Sequence, residues 1–132
     1  MGLGYTAIRV KDIEKSLKLY KYLGMTVIRR YSPIPGEKVV QLLDKKTKQR
    51  INLMWYGKSC KIYSPWKQDG VELDHLRFHV KDAKKTYNAL LKKGYKPPAG
   101  WKFREGDHHG KHIMIGFVKD PNGIWVGVVS GI

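Results

Sequence analysis

Of 132 residues, only Cys60 is a cysteine. That excludes an internal disulfide, leaves a thiolate-rich zinc centre short of ligands, and suits a reducing compartment. Acidic residues are also scarce, with 11 Asp and Glu against 26 Lys and Arg. No apolar run approaches the roughly 18 residues that a membrane span needs. The opening Met1-Gly2-Leu3-Gly4 lacks the charged start and apolar core of a signal peptide. Low-complexity tracts and flexible interdomain linkers are missing as well. What remains is a packed chain, 42% hydrophobic and 11% aromatic, long enough to bury a core as one domain and expected in the cytoplasm.

The charge imbalance amounts to a formal net of +15. An excess of that size favours polyanionic partners, because neutralised phosphates release counterions. The lysines, however, lie where solvated lysines are ordinary: on helix faces (Lys15, Lys18, Lys21; Lys84, Lys85, Lys92, Lys93) and in the turn Lys45-Lys46-Thr47-Lys48. No helix-turn-helix pattern or aromatic RNA-binding signature accompanies them. Nucleic acid is therefore expected to bind nonspecifically if at all, and a basic nucleic-acid-associated role ranks third.

The chain repeats itself. Val10-Lys11-Asp12 opens a stretch through Leu17 and Tyr20 to Gly24, and Val80-Lys81-Asp82 opens another through Tyr87 and Leu90 to Gly94. The offset is constant, since 80 − 10, 82 − 12 and 94 − 24 all give 70. Two copies at so long a period describe paired half-domains rather than a solenoid. Tyr5 and His75 are equivalent positions under the same offset.

Hydrophobic periodicity fills in each copy. Tyr5 to Val10 alternates as a strand, and Asp12 caps a helix that Gly24 stops, with Ile13, Leu17 and Tyr20 on one face. Met25 to Tyr31, Lys38 to Leu43 and Arg50 to Tyr56 read as strands, the first ended by Ser32-Pro33-Ile34-Pro35-Gly36. A polar connection follows over 58–70. In the second copy Leu73 to Val80 is a strand and Asp82 caps the helix. Pro97-Pro98 interrupts the next strand region. His112 to Val118 and Ile124 to Val129 flank the turn Asp120-Pro121-Asn122-Gly123. The expected fold is α+β, two pseudo-symmetric β-α-β-β-β modules (about 1–57 and 71–132) whose curved mixed sheets pair around a crevice.

The residues resemble the vicinal oxygen chelate superfamily: glyoxalase I, the bleomycin-resistance proteins, extradiol dioxygenases and methylmalonyl-CoA epimerase. Thr6-Ala7-Ile8-Arg9-Val10, with Asp12, Ser16-Leu17-Lys18-Leu19-Tyr20 and Leu23-Gly24-Met25, looks like the glyoxalase I opening. Gly116-Phe117-Val118-Lys119-Asp120-Pro121-Asn122-Gly123 looks like its closing hairpin. The resemblance spans nearly the whole chain and implies a single glyoxalase-like domain, a homodimer, and a divalent metal held by four side chains. Those positions here are Tyr5, Asn52, His75 and Gly127, where the family normally has histidine, a carboxylate or glutamine, histidine and glutamate. Only His75 is a standard ligand. Gly127 has no side chain, and a phenol would have to lose a proton with a pKa near 10. A catalytic centre usually wants three protein ligands, so no resident cofactor is expected, although a divalent metal stays the alternative.

Strand parity sets Ala7 and Arg9 in phase with Tyr5, and Arg77 and His79 in phase with His75. It puts Tyr56 beside Asn52 and Trp125 beside Gly127. This face combines cations with aromatic rings, and a guanidinium suits a carboxylate or phosphate. The resemblance agrees: the glyoxalase I arginine matching Arg9 looks like a contact to the acidic substrate. The expected ligand residues are Arg9, Asn52, Tyr56, Arg77, His79 and Trp125. Acidic partners are few: Glu72 and Asp74 are candidates, but parity puts Asp74 on the opposite face, which leaves positive charge for a ligand. The competing reading is that Arg9 and Arg77 are satisfied by backbone carbonyls. His108, His109 and His112 read as loop histidines in the polar segment from Glu105, and Cys60 as an incidental loop thiol.

Three functions follow, in order. The first is binding of a small anionic or aromatic molecule without the family's full metal site. The second is a superfamily enzyme (lyase, epimerase or dioxygenase) that uses His75 with non-standard metal ligands or, without metal, His75 as general base, Tyr5 as acid and Arg9 to hold the substrate. The third is the nucleic-acid role above.

Overall fold

The structure is a computed structural model, and it describes residues 3–67, 73, 75–108 and 110–131. Two compact units divide the chain, residues 1–68 and 69–132. Each unit is one β-α-β-β-β module, as the repeat predicts.

In the first unit, β1 (Thr6–Arg9) leads to α1 (Ile13–Tyr22), then β2 (Thr26–Tyr31), β3 (Glu37–Leu43) and β4 (Arg50–Tyr56). The strand order is β1-β4-β3-β2, with β1 parallel to β4 and the other pairs antiparallel. A register shift between Val27 and Arg29 interrupts the β2–β3 ladder. Helix α1 begins where expected: Asp12 stays extended and its carboxylate accepts the Lys15 N–H at 3.1 Å, a cap that contributes about 1 kcal/mol. The chain leaves α1 through Gly24 at φ +96, a left-handed turn that suits glycine. Leu17, Leu19 and Tyr20 are fully buried, and one sheet face supplies Ile8, Val10, Val40, Leu42, Ile51 and Leu53 to the core.

The second unit repeats this plan. It comprises β5 (His75–His79), α2 (Ala83–Lys92), β6 (Arg104–His108), β7 (Lys111–Lys119) and β8 (Trp125–Ser130), in the order β5-β8-β7-β6. Asp82 caps α2 through the Lys85 N–H at 3.0 Å, and Gly94 sits at φ +96 like Gly24. The Asp120-Pro121-Asn122-Gly123 turn is built by the buried Asp120 carboxylate, which accepts the Asn122 and Ile124 N–H groups at 2.8 Å each.

One expectation changes. The polar segment from Glu105 is a strand, not a loop: β6 pairs with β7 and sets Asp107 opposite His112. The reason is cross-strand charge pairing. His112 Nδ1 lies 3.0 Å from Asp107 and its Nε2 3.0 Å from Glu105, with Lys84 of α2 3.7 Å from Glu105. His109, Glu72 and Asp74 lie outside the described residues. Cys60 is a free thiol in the connection, as read from the sequence. It is buried against Gly36, where an added Cβ would meet the Cys60 Cβ at 2.9 Å.

Candidate functional site

In the first unit, the sheet face turned away from α1 carries the candidate residues. Register sets them in rows across the strands: Ala7, Asn52 and Gln41; then Arg9, Met54 and Val39; then Tyr56 and Glu37. Parity in the sequence therefore places Arg9, Asn52 and Tyr56 on one face. Tyr5 precedes β1 and is 51% exposed.

Arg9 is the centre of this face. Its guanidinium lies 4.5 Å from the Tyr56 ring centroid. Nη1 donates to Ser64 Oγ at 3.2 Å and Nη2 to the Ser64 carbonyl at 2.5 Å. A backbone carbonyl thus takes part of the charge, as the competing reading of this arginine anticipates. It does not take all of the donors: Nε is buried with no partner among the described residues. The Asn52 side chain is 1% exposed, and its Oδ1 is likewise buried without a described partner. An unpaired buried polar group costs about 1–3 kcal/mol, so two on one face are a specific feature, one donor and one acceptor.

Glu37 is the residue that sequence reasoning misses. It is buried beside Tyr56, whose hydroxyl it binds, and burial followed by this carboxylate raises the Tyr56 pKa above its usual value. Tyr56 therefore stays a neutral phenol, spent on Glu37 while its ring supports Arg9. Beginning β3 one residue earlier would have put Glu37 in phase with Val39 and Gln41. Ser64 carried no signal, because nothing in the polar connection marks which residue folds back onto β1.

In the second unit, register sets His75 beside Trp125, Arg77 beside Gly127 and Phe117, and His79 beside Val129. His75, Arg77 and His79 are exposed. The Phe117 ring packs edge-on to His75 at 5.3 Å, near Trp101 at 4.6 Å and Trp125 at 6.2 Å, and Arg104 covers Trp101 at 4.5 Å. The space beside Gly127 is filled by this cluster, since an added Cβ would stand 2.8 Å from Phe117 Cε1.

Do these residues fit the divalent metal that the resemblance implies? They do not. At the fourth position Phe117 occupies the room a carboxylate would need, and at the second Asn52 offers one neutral oxygen. The first is a half-exposed phenol. Among the described residues, no three His, Cys, Asp or Glu side chains gather to hold a metal ion. Nor is any described helix long and apolar enough to cross a membrane.

Solved structures share the fold at low identity. A glyoxalase family protein from Bacillus cereus is 12% identical with a TM-score of 0.77, over 98% of this chain and 93% of its own. The trypanothione-dependent glyoxalase I of Leishmania major is 23% identical at 0.71, over 98% and 86%. A fosfomycin resistance protein from Listeria monocytogenes is 15% identical at 0.67, over 100% and 94%. No curated protein matches the chain in sequence. The sequence profile of the glyoxalase/bleomycin resistance protein/dioxygenase superfamily matches residues 2–128. With that match and the two-module fold, the chain belongs to the glyoxalase/bleomycin resistance protein/dioxygenase superfamily.

Proposed function

We propose that the protein binds a small anionic or aromatic molecule on the Arg9 face of its first unit, without the family's metal. One observation carries this reading: a buried Arg9 Nε with no acceptor among the described residues shares the face with a buried Asn52 Oδ1 with no donor among them. A ligand that brings an anionic oxygen to the guanidinium and an O–H or N–H to the amide answers both. Hydroxy acids and phenolic acids have that pair of groups. Ser64 competes for the two outer guanidinium nitrogens, so a carboxylate either displaces it or binds through Nε alone. The Tyr56 ring, whose hydroxyl Glu37 binds, packs against the guanidinium. Arg77, His79 and Trp125 lie in the second unit and supply a second basic, aromatic surface for such a ligand.

Calorimetric titration with salicylate and with benzoate tests this, salicylate carrying both groups and benzoate the anion alone. Salicylate should bind more tightly than benzoate, and Arg9→Gln should weaken it roughly tenfold or more, the range of a charge-assisted hydrogen bond. Equal affinity in wild type and Arg9→Gln would remove Arg9 from the role.

A further inference from the structure

On the opposite sheet face of the first unit, α1 stops short of covering the strands. The uncovered part is a groove of about 560 Å³, a size typical of small-molecule sites. Its floor is set by register. Lys38 of β3 stands beside Trp55 of β4, and Val40 of β3 beside Arg30 of β2. Lys11 and the first turn of α1, with Ile13 and Glu14, form the wall.

The charges in the groove are unevenly engaged. Glu14 is paired with Arg30 at 2.9 Å, and Asp12 accepts the Lys15 N–H as the helix cap. Lys38 instead extends its ammonium over the Trp55 ring, 5.1 Å from the centroid, and is exposed. Of the three cations lining the groove, Arg30 is held by Glu14 and Lys11 lies over the Trp66 ring at 5.7 Å, so Lys38 is the one that meets a ligand. An aromatic surface with a cation held at its face, next to the buried Val40, is chemically selective. A ring packs against indole and valine, while a negative group on that ring meets the ammonium.

We propose that this groove is a second binding site, for a planar aromatic anion, distinct from the Arg9 face and independent of it. The ring lies against Trp55 and Val40, and the anionic group is met by Lys38. Glu14 and Asp12 exclude ligands with a second, distant negative charge by repulsion.

Amide NMR of the whole chain, titrated with 1-naphthoate and separately with neutral 1-naphthylmethanol, tests the proposal. Naphthoate should give saturable shifts at Lys11, Glu14, Lys38, Val40 and the Trp55 indole N–H, and the alcohol should bind roughly tenfold more weakly. Lys38→Gln, an exposed substitution that leaves the core alone, should weaken naphthoate by about the same factor. The pattern should persist in Arg9→Gln, which separates it from the other face. Equal binding of acid and alcohol, unchanged affinity in Lys38→Gln, shifts confined to Arg9, Asn52 and Tyr56, or no saturation would each overturn it.

Discussion

Gly127 and Phe117 show how one small residue decides what a site can be. Gly127 accepts the Phe117 ring into the space a side chain would occupy, and the ring in turn supports His75, Trp101 and Trp125. Gly127→Ala should therefore destabilise the protein by about 1–3 kcal/mol through overpacking, read by thermal or urea unfolding. Adding Phe117→Leu should recover part of that loss, whereas additive losses would mean the two do not compete for space. This pairing was legible beforehand. Counting outward from the Asp120–Gly123 turn opposes residue 117 to residue 127, as the register does. The Arg9 Nε and Asn52 Oδ1, which have no partner among the described residues, were not legible, because such groups are defined by what neighbouring segments fail to offer. Ser64 in particular comes from a connection with no periodicity to read.

At the level of elements, the local signals were strong where one face is buried and weak where both are polar. Asp12 and Asp82, each followed by an amphipathic run and a glycine, marked both helices within a residue of their observed starts. Strand β6, by contrast, contains Arg104-Glu105-Gly106-Asp107-His108 and has no hydrophobic alternation to reveal it. What holds it is the cluster around His112, and that makes its stability depend on pH. Hydrogen bonds from Glu105 and then Asp107 raise the His112 pKa above 6.5, and the His112 hydrogen bond, then Lys84, lowers that of Glu105 below 4.5. For His112 the stabilisation is fully present below 6.5 and is lost as pH rises through the raised folded value. For Glu105 it is present above 4.5 and lost as pH falls through the depressed folded value. Amide protection in the β6–β7 hairpin should thus be greatest between these limits, and His112→Ala should flatten the dependence on the alkaline side. A profile unchanged by His112→Ala would contradict the pairing. All these groups are exposed, so the effect is local.

For the molecule as a whole, the 70-residue repeat carried most of the fold. It reaches down to torsion angles, with Gly24 and Gly94 both at φ +96, and up to strand order, which is the same in both units. Equivalence of position did not bring equivalence of chemistry. The first unit gathers Arg9, Tyr56 and Glu37, and the second gathers Phe117, Trp101 and Trp125. A net charge of +15 also acts on the whole surface rather than at a site. Binding to DNA of arbitrary sequence should accordingly be weak and fall steeply and linearly on a log–log plot as salt rises. Sequence-selective, salt-insensitive binding in a gel-shift or anisotropy assay would point instead to a built nucleic-acid surface.

The claim on which the functional reading turns is that ligand recognition here proceeds without the family's metal. Elemental analysis of the purified, untagged protein, dialysed and then challenged with zinc, nickel, iron and manganese, tests it most directly. The account predicts no stoichiometric metal that depends on His75, with salicylate binding unchanged by a chelator. One tightly held metal per chain, abolished by His75→Ala, would contradict it and make a superfamily enzyme the better description.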